Sequence, residues 1–122
     1  MGGDGAFFDV GANIGLYSLY FAKIFPGSVY AFEPSALNLG LLAKNIALNE
    51  LSDQIVVVPI PLTASNVIAP LTLSESDEGG AQSTFGATYG HDGLPLIEKM
   101  TYQMPGCILD FLIESGVLPE LP

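Results

Sequence analysis

Apolar residues along this chain fall in short blocks whose spacing alternates between strand and helix. Residues 6–10 are apolar apart from Asp9, a composition that suits a strand covered on both faces, as in a parallel sheet. After Gly11 and Gly15, Leu16, Tyr20 and Ile24 recur at i, i+4 and i+8, with Tyr17 and Phe21 beside them. That spacing predicts a helix over 16–25 with a wide buried face, stopped by Pro26-Gly27. Residues 28–32 are β-branched and aromatic, a second strand that ends at Glu33-Pro34. Ser35 is placed to cap a second helix running to about Asn49, with Leu37, Leu41, Leu42, Ile46 and Leu48 as its stripe. Residues 54–58 predict a third strand, ended by Pro59 and Pro61. Three strands separated by two helices imply right-handed crossovers and a parallel sheet flanked by helices, an α/β fold.

Beyond Leu62 the pattern weakens. Residues 71–74 alternate like a strand, and 75–93 are glycine-rich, acidic and aperiodic, which predicts an exposed loop. Tyr102 belongs to a further short strand, and 108–115 to a short amphipathic helix closed by Gly116. No repeat or linker divides the chain, so residues 1–122 are read as one domain.

Composition narrows the function. Apolar residues at 49% and charged residues at 13% exclude a disordered chain. Thirteen acids against three lysines, with no arginine and a net charge of −10, argue against a nucleic-acid partner. The single cysteine, Cys107, excludes an internal disulfide. No apolar run approaches the ~18 residues of a membrane span and no secretory leader is evident, so a cytoplasmic protein without membrane partners is expected.

The candidate chemistry lies between the first strand and the first helix. Gly11 and Gly15 allow a sharp turn and a close approach of backbone to a ligand, and the following helix would point its amino end into the same space. A dinucleotide site wants G-x-G-x-x-G, but here the spacing is Gly11-x-x-x-Gly15, with Asn13 where a middle glycine would let a pyrophosphate approach. Glu33, at the end of the second strand, is placed to accept both hydroxyls of a ribose, which NAD and S-adenosylmethionine share. Asp9 repels a pyrophosphate and suits the cationic amino-acid end of S-adenosylmethionine. The balance favours S-adenosylmethionine over a nicotinamide dinucleotide. Because Glu33 is expected outside the core, Glu33→Gln is expected to leave folding almost unchanged. His91 reads as a surface histidine, Cys107 as a small core hydrophobe, and Glu75, Asp77 and Glu78 as solvated carboxylates, so no metal site and no catalytic base is assigned.

The run from Asp9 to Ser18 resembles the first motif of the FkbM family of S-adenosylmethionine-dependent methyltransferases. Phe32-Glu33-Pro34 resembles the family's second-strand ending, residues 45–49 its second helix, and residues 107–113 the segment before its fourth core strand. The resemblance implies a partial Rossmann-like sheet of the class I methyltransferase type. It implies O-methylation of a small-molecule or glycan acceptor, and S-adenosylmethionine as cofactor. Asp9, Gly11, Ala12, Asn13 and Gly15 would line the methionine and ribose end. Glu33, with Pro34, would hold the ribose, and the adenine would lie near Pro61 and Leu62. Family members continue with further strands. The chain is therefore expected to be the front part of the domain, to lack activity alone, and to self-associate through its first strand. A non-catalytic fragment is the remaining alternative.

Overall fold

The structure is a computed structural model that describes residues 5–73, 83–85 and 100–120 of the 122-residue chain. Its first half follows the expected alternation: β1 (Ala6–Val10), α1 (Leu16–Ile24), β2 (Ser28–Phe32), α2 (Ala36–Leu48) and β3 (Ile55–Val58). The three strands form a parallel sheet in the order β1-β2-β3, with Ala6 opposite Ser28 and Val29 opposite Ile55. This is a mixed α/β arrangement compatible with part of a Rossmann-like fold.

Alternation along the strands divides the core in two. On one face Val29, Ala31 and Ile55 meet Ala22 of α1 and Leu42 and Ile46 of α2, with Phe7 stacked on Phe21 at a ring separation of 4.1 Å. On the other face Phe32 and Val58, with Phe8 and Tyr30, are covered by Leu112 of α3 (Leu109–Glu114) and by Leu118. The sheet is thus sandwiched, with two helices on one side and one short helix on the other.

Three expectations need correction. β1 is covered on both faces only in part: Phe7 and Phe8 pack on opposite faces but are half-buried, and Val10 is exposed. The buried face of α1 is Ser18 and Ala22, whereas Leu16 is 72% exposed and Tyr20 59%, with Tyr17 and Ile24 also exposed. α1 is apolar on nearly every side, so periodicity finds a stripe but cannot choose it. Small side chains let the helix axis lie close to the sheet, and the bulky stripe is left outside. In α2, Leu48 likewise faces outward, while Leu42 and Ile46 are buried as expected.

Past β3 the chain forms an antiparallel sheet in the order β5-β4-β6, from β4 (Val67–Leu73), β5 (Ser83–Phe85) and β6 (Met100–Gly106). β4 starts well before residue 71 and contains Pro70, which lies beyond the Leu71–Leu73 stretch that β5 pairs. Pro105 sits on β6, an edge strand. A bridge between Leu62 and Cys107 ties the end of the parallel sheet to the start of α3, which Gly116 closes at φ +84°. His91, Glu75, Asp77 and Glu78 lie outside the described residues.

Candidate functional site

The turn after β1 has the backbone that its residue types allow. Gly11, Asn13 and Gly15 have φ of +76°, +58° and +101°. Asparagine is the non-glycine residue that best tolerates this region, so the G-x-N-x-G spacing is a conformational requirement. Gly15 has a second constraint, since a Cβ there would stand 2.6 Å from Leu42 Cδ1 in the core. From α2, Asn45 Nδ2 donates to the Ile14 carbonyl at 2.9 Å and anchors the outer part of the turn.

The amides of this turn point inward. Gly11 N–H and Ala12 N–H both donate to the Phe32 carbonyl at 2.9 Å, and Gly15 N–H donates to the Ala12 carbonyl at 2.9 Å. Asn13 N–H donates to Glu33 Oε1 at 2.7 Å, and Ser35 N–H donates to Glu33 Oε2 at 2.9 Å. Glu33 is only 4% exposed. Its carboxylate is thus a strut between the turn after β1 and the start of α2, which corrects the expectation of a strand-end acid outside the core. Each carboxylate oxygen can accept more than one hydrogen bond, so both retain acceptor capacity.

Asp9 is half-buried near the end of β1, and its Oδ2 accepts a 2.7 Å bond from the Ser18 hydroxyl, which is fully buried on α1. The serine sets the carboxylate's orientation from the helix that follows the turn.

A cleft of about 260 Å³ opens at the carboxyl ends of the parallel strands. It is lined by Val10 and Gly11, by Phe32, Glu33 and Pro34, by Ile60, Pro61 and Leu62 after β3, and by Leu71 of β4. Of the residues expected at a cofactor site, Gly11, Glu33, Pro34 and Leu62 meet here. Asp9, Ala12, Asn13 and Gly15 support the cleft without lining it. Ala12 belongs to the core beneath the helices, and the Asn13 backbone holds Glu33. Among the described residues the lining contains no cation, one carboxylate and mostly apolar side chains. Among the described residues no group of three or more histidine, cysteine or acidic side chains could hold a metal ion, and no helix is long and apolar enough to cross a membrane.

Sequence reading missed three contributors. Leu71 comes from the second sheet, and its place on a strand gave no sign that it would reach the cleft. Ser18 was legible only as part of a motif. Tyr102, on β6, donates to the Pro34 carbonyl at 2.9 Å and accepts from Ala36 N–H at 2.9 Å. Burial pushes its hydroxyl above the usual tyrosine range, the Ala36 N–H pulls it down, and the nearby Glu33 charge adds to the rise.

Comparison with known proteins gives one informative likeness. The chain is 38% identical over 65 residues to a protein named methyltransferase sdnD from Sordaria araneosa. The matched region is 52% of this chain and spans a quarter of that relative's length. No family model matches the chain, and no solved structure matches it.

Proposed function

We propose that this chain is the cofactor-binding part of an S-adenosylmethionine-dependent methyltransferase. The observation that carries the reading is the inward engagement of the turn amides. The N–H groups of Gly11, Ala12, Asn13 and Gly15 are held by the Phe32 carbonyl, the Glu33 carboxylate and the Ala12 carbonyl. A site for a pyrophosphate needs such amides turned outward, with cations or glycines around them. Here they are engaged, and the nearest charged group in the cleft is an acid. That combination disfavours a nicotinamide dinucleotide and suits a nucleoside with a cationic tail. The partial likeness to a fungal methyltransferase points the same way.

The chemistry of the cleft lining supports the nucleoside half of the cofactor as its occupant. Glu33 offers two fixed carboxylate oxygens to a ribose, and Val10, Ile60, Pro61 and Leu62 offer an apolar bed for a base. Asp9, oriented by Ser18, supplies a carboxylate on the β1 side for an ammonium group. S-adenosylmethionine, when bound, supplies an activated methyl group on its sulfonium. The contribution of these residues is to bind it and orient it for in-line attack by an acceptor, which is catalysis by positioning. The resemblance of the Asp9 to Ser18 run to FkbM methyltransferases supports an oxygen acceptor on a small molecule or glycan.

Isothermal calorimetry tests the cofactor class. S-adenosylhomocysteine should bind the chain with at least tenfold higher affinity than NAD, a difference of about 1.4 kcal/mol. Tighter binding of NAD would overturn the reading.

A further inference from the structure

Three consecutive residues after β2 are gripped by side chains from two different sheets. The Pro34 carbonyl accepts from the Tyr102 hydroxyl, Ser35 N–H donates to Glu33 Oε2, and Ala36 N–H donates to the Tyr102 oxygen, each at 2.9 Å. Tyr102 therefore uses its hydroxyl as donor and as acceptor, on the carbonyl of the peptide group whose N–H Glu33 holds and on the N–H of the next. Directly opposite Tyr102 in the β4–β6 register stands Leu71, which lines the same cleft and is almost completely buried. One rung of the antiparallel ladder thus supplies both a wall of the cleft and a pin for the segment that carries its acid.

We propose that Tyr102 is a positioning residue for ligand recognition by Glu33: it locks residues 34–36 so that the carboxylate presents its remaining acceptor sites to the ribose hydroxyls. The inference rests on the cofactor reading given above. Without the pin, Ser35 keeps its bond to Glu33 and its capping bond from Asn38 N–H, but the Pro34 carbonyl and the Ala36 N–H on either side of it lose their partner, and the segment that carries the carboxylate gains freedom. A hydrogen-bonded recognition group that can move loses the discrimination that a fixed one gives. The upward shift of the tyrosine is consistent with this role, because the hydroxyl stays protonated, and able to donate to Pro34, into the alkaline range.

The test is Tyr102→Phe, which keeps the ring and removes both bonds. In the ligand-free protein, hydrogen exchange at the Ser35 and Asn13 amides, the two donors to Glu33, should accelerate by about tenfold or more while amides of β2 and β3 stay protected. S-adenosylhomocysteine and its 2′-deoxy analogue then report on the ribose. In the wild type, loss of the hydroxyl should cost about tenfold or more in affinity, and in Tyr102→Phe about threefold or less. A merely structural tyrosine would lower affinity for both ligands equally and leave that ratio intact, which would overturn the proposal. Unchanged exchange at Ser35 and Asn13, or a variant that no longer folds, would overturn it as well. A wild type that binds neither ligand would instead overturn the cofactor reading, and this inference with it.

Discussion

Glu33 holds a turn together and, on the reading proposed above, presents a recognition group as well. Its carboxylate takes N–H groups from Asn13 and Ser35 while facing a cleft. Replacing one oxygen by an amide nitrogen sets a donor against one of those N–H groups and leaves it unsatisfied in a buried place. Glu33→Gln is therefore expected to destabilise the fold by about 1–3 kcal/mol in urea titration. The same change should weaken S-adenosylhomocysteine by roughly tenfold or more, since charged acceptors make the stronger bonds. A variant with wild-type stability would show that the strut is not needed. The glycines and Asn13 were legible in the sequence because left-handed backbone leaves a mark on residue type. The strut was not, since nothing local in Phe32-Glu33-Pro34 shows that the acid turns inward toward Asn13, 20 positions earlier in the chain.

At the scale of elements, α1 separates what periodicity reveals from what packing decides. Its length and its stop at Pro26-Gly27 were readable, but its orientation was not, because two faces compete and the residues fully buried against the sheet are the small Ser18 and Ala22, with Phe21 stacked beside them on Phe7. The two orientations predict opposite mutational patterns. With Ala22 against Val29 and Ile55, Ala22→Leu should overpack the core and cost about 1–3 kcal/mol. Leu16→Ala, at a site mostly in solvent, should cost less than about 0.5 kcal/mol. Thermal unfolding of the two variants checks the assignment, and a reversed order would restore the face that the i, i+4 spacing suggests. The second sheet was the least legible part. Pro70 reads as a breaker inside β4, Pro105 and Gly106 do the same to β6, and the pairing of the two strands joins segments about thirty residues apart that share no local signal. Leu71 and Tyr102 reach the cleft only through that pairing.

At the scale of the molecule, the described residues leave a wide apolar surface exposed. Among the described residues β1 pairs with β2 on one side only, so its other edge has no strand partner there beside Phe7 and Phe8. Val10 is 61% exposed at its end, and Leu16, Tyr17, Tyr20 and Ile24 extend the apolar surface along α1. Free strand edges and contiguous apolar faces both favour association. The net charge of −10 opposes it in general, yet α1 contains no acid, and Lys23 is its one charged residue. Local repulsion on this face is therefore weak while the acids lie elsewhere. On the reading proposed above, the chain on its own is expected to self-associate through β1 and α1 and to lack methyl-transfer activity. Sedimentation velocity over a hundredfold range of concentration should show a weight-average mass that rises with concentration. Tyr20→Glu, which places a charge on the exposed face and gives up only an edge contact with Phe21, should hold the chain monomeric at concentrations where the wild type associates. A wild-type chain that stays monomeric throughout, or one that releases S-adenosylhomocysteine in the presence of an acceptor, would overturn the corresponding expectation.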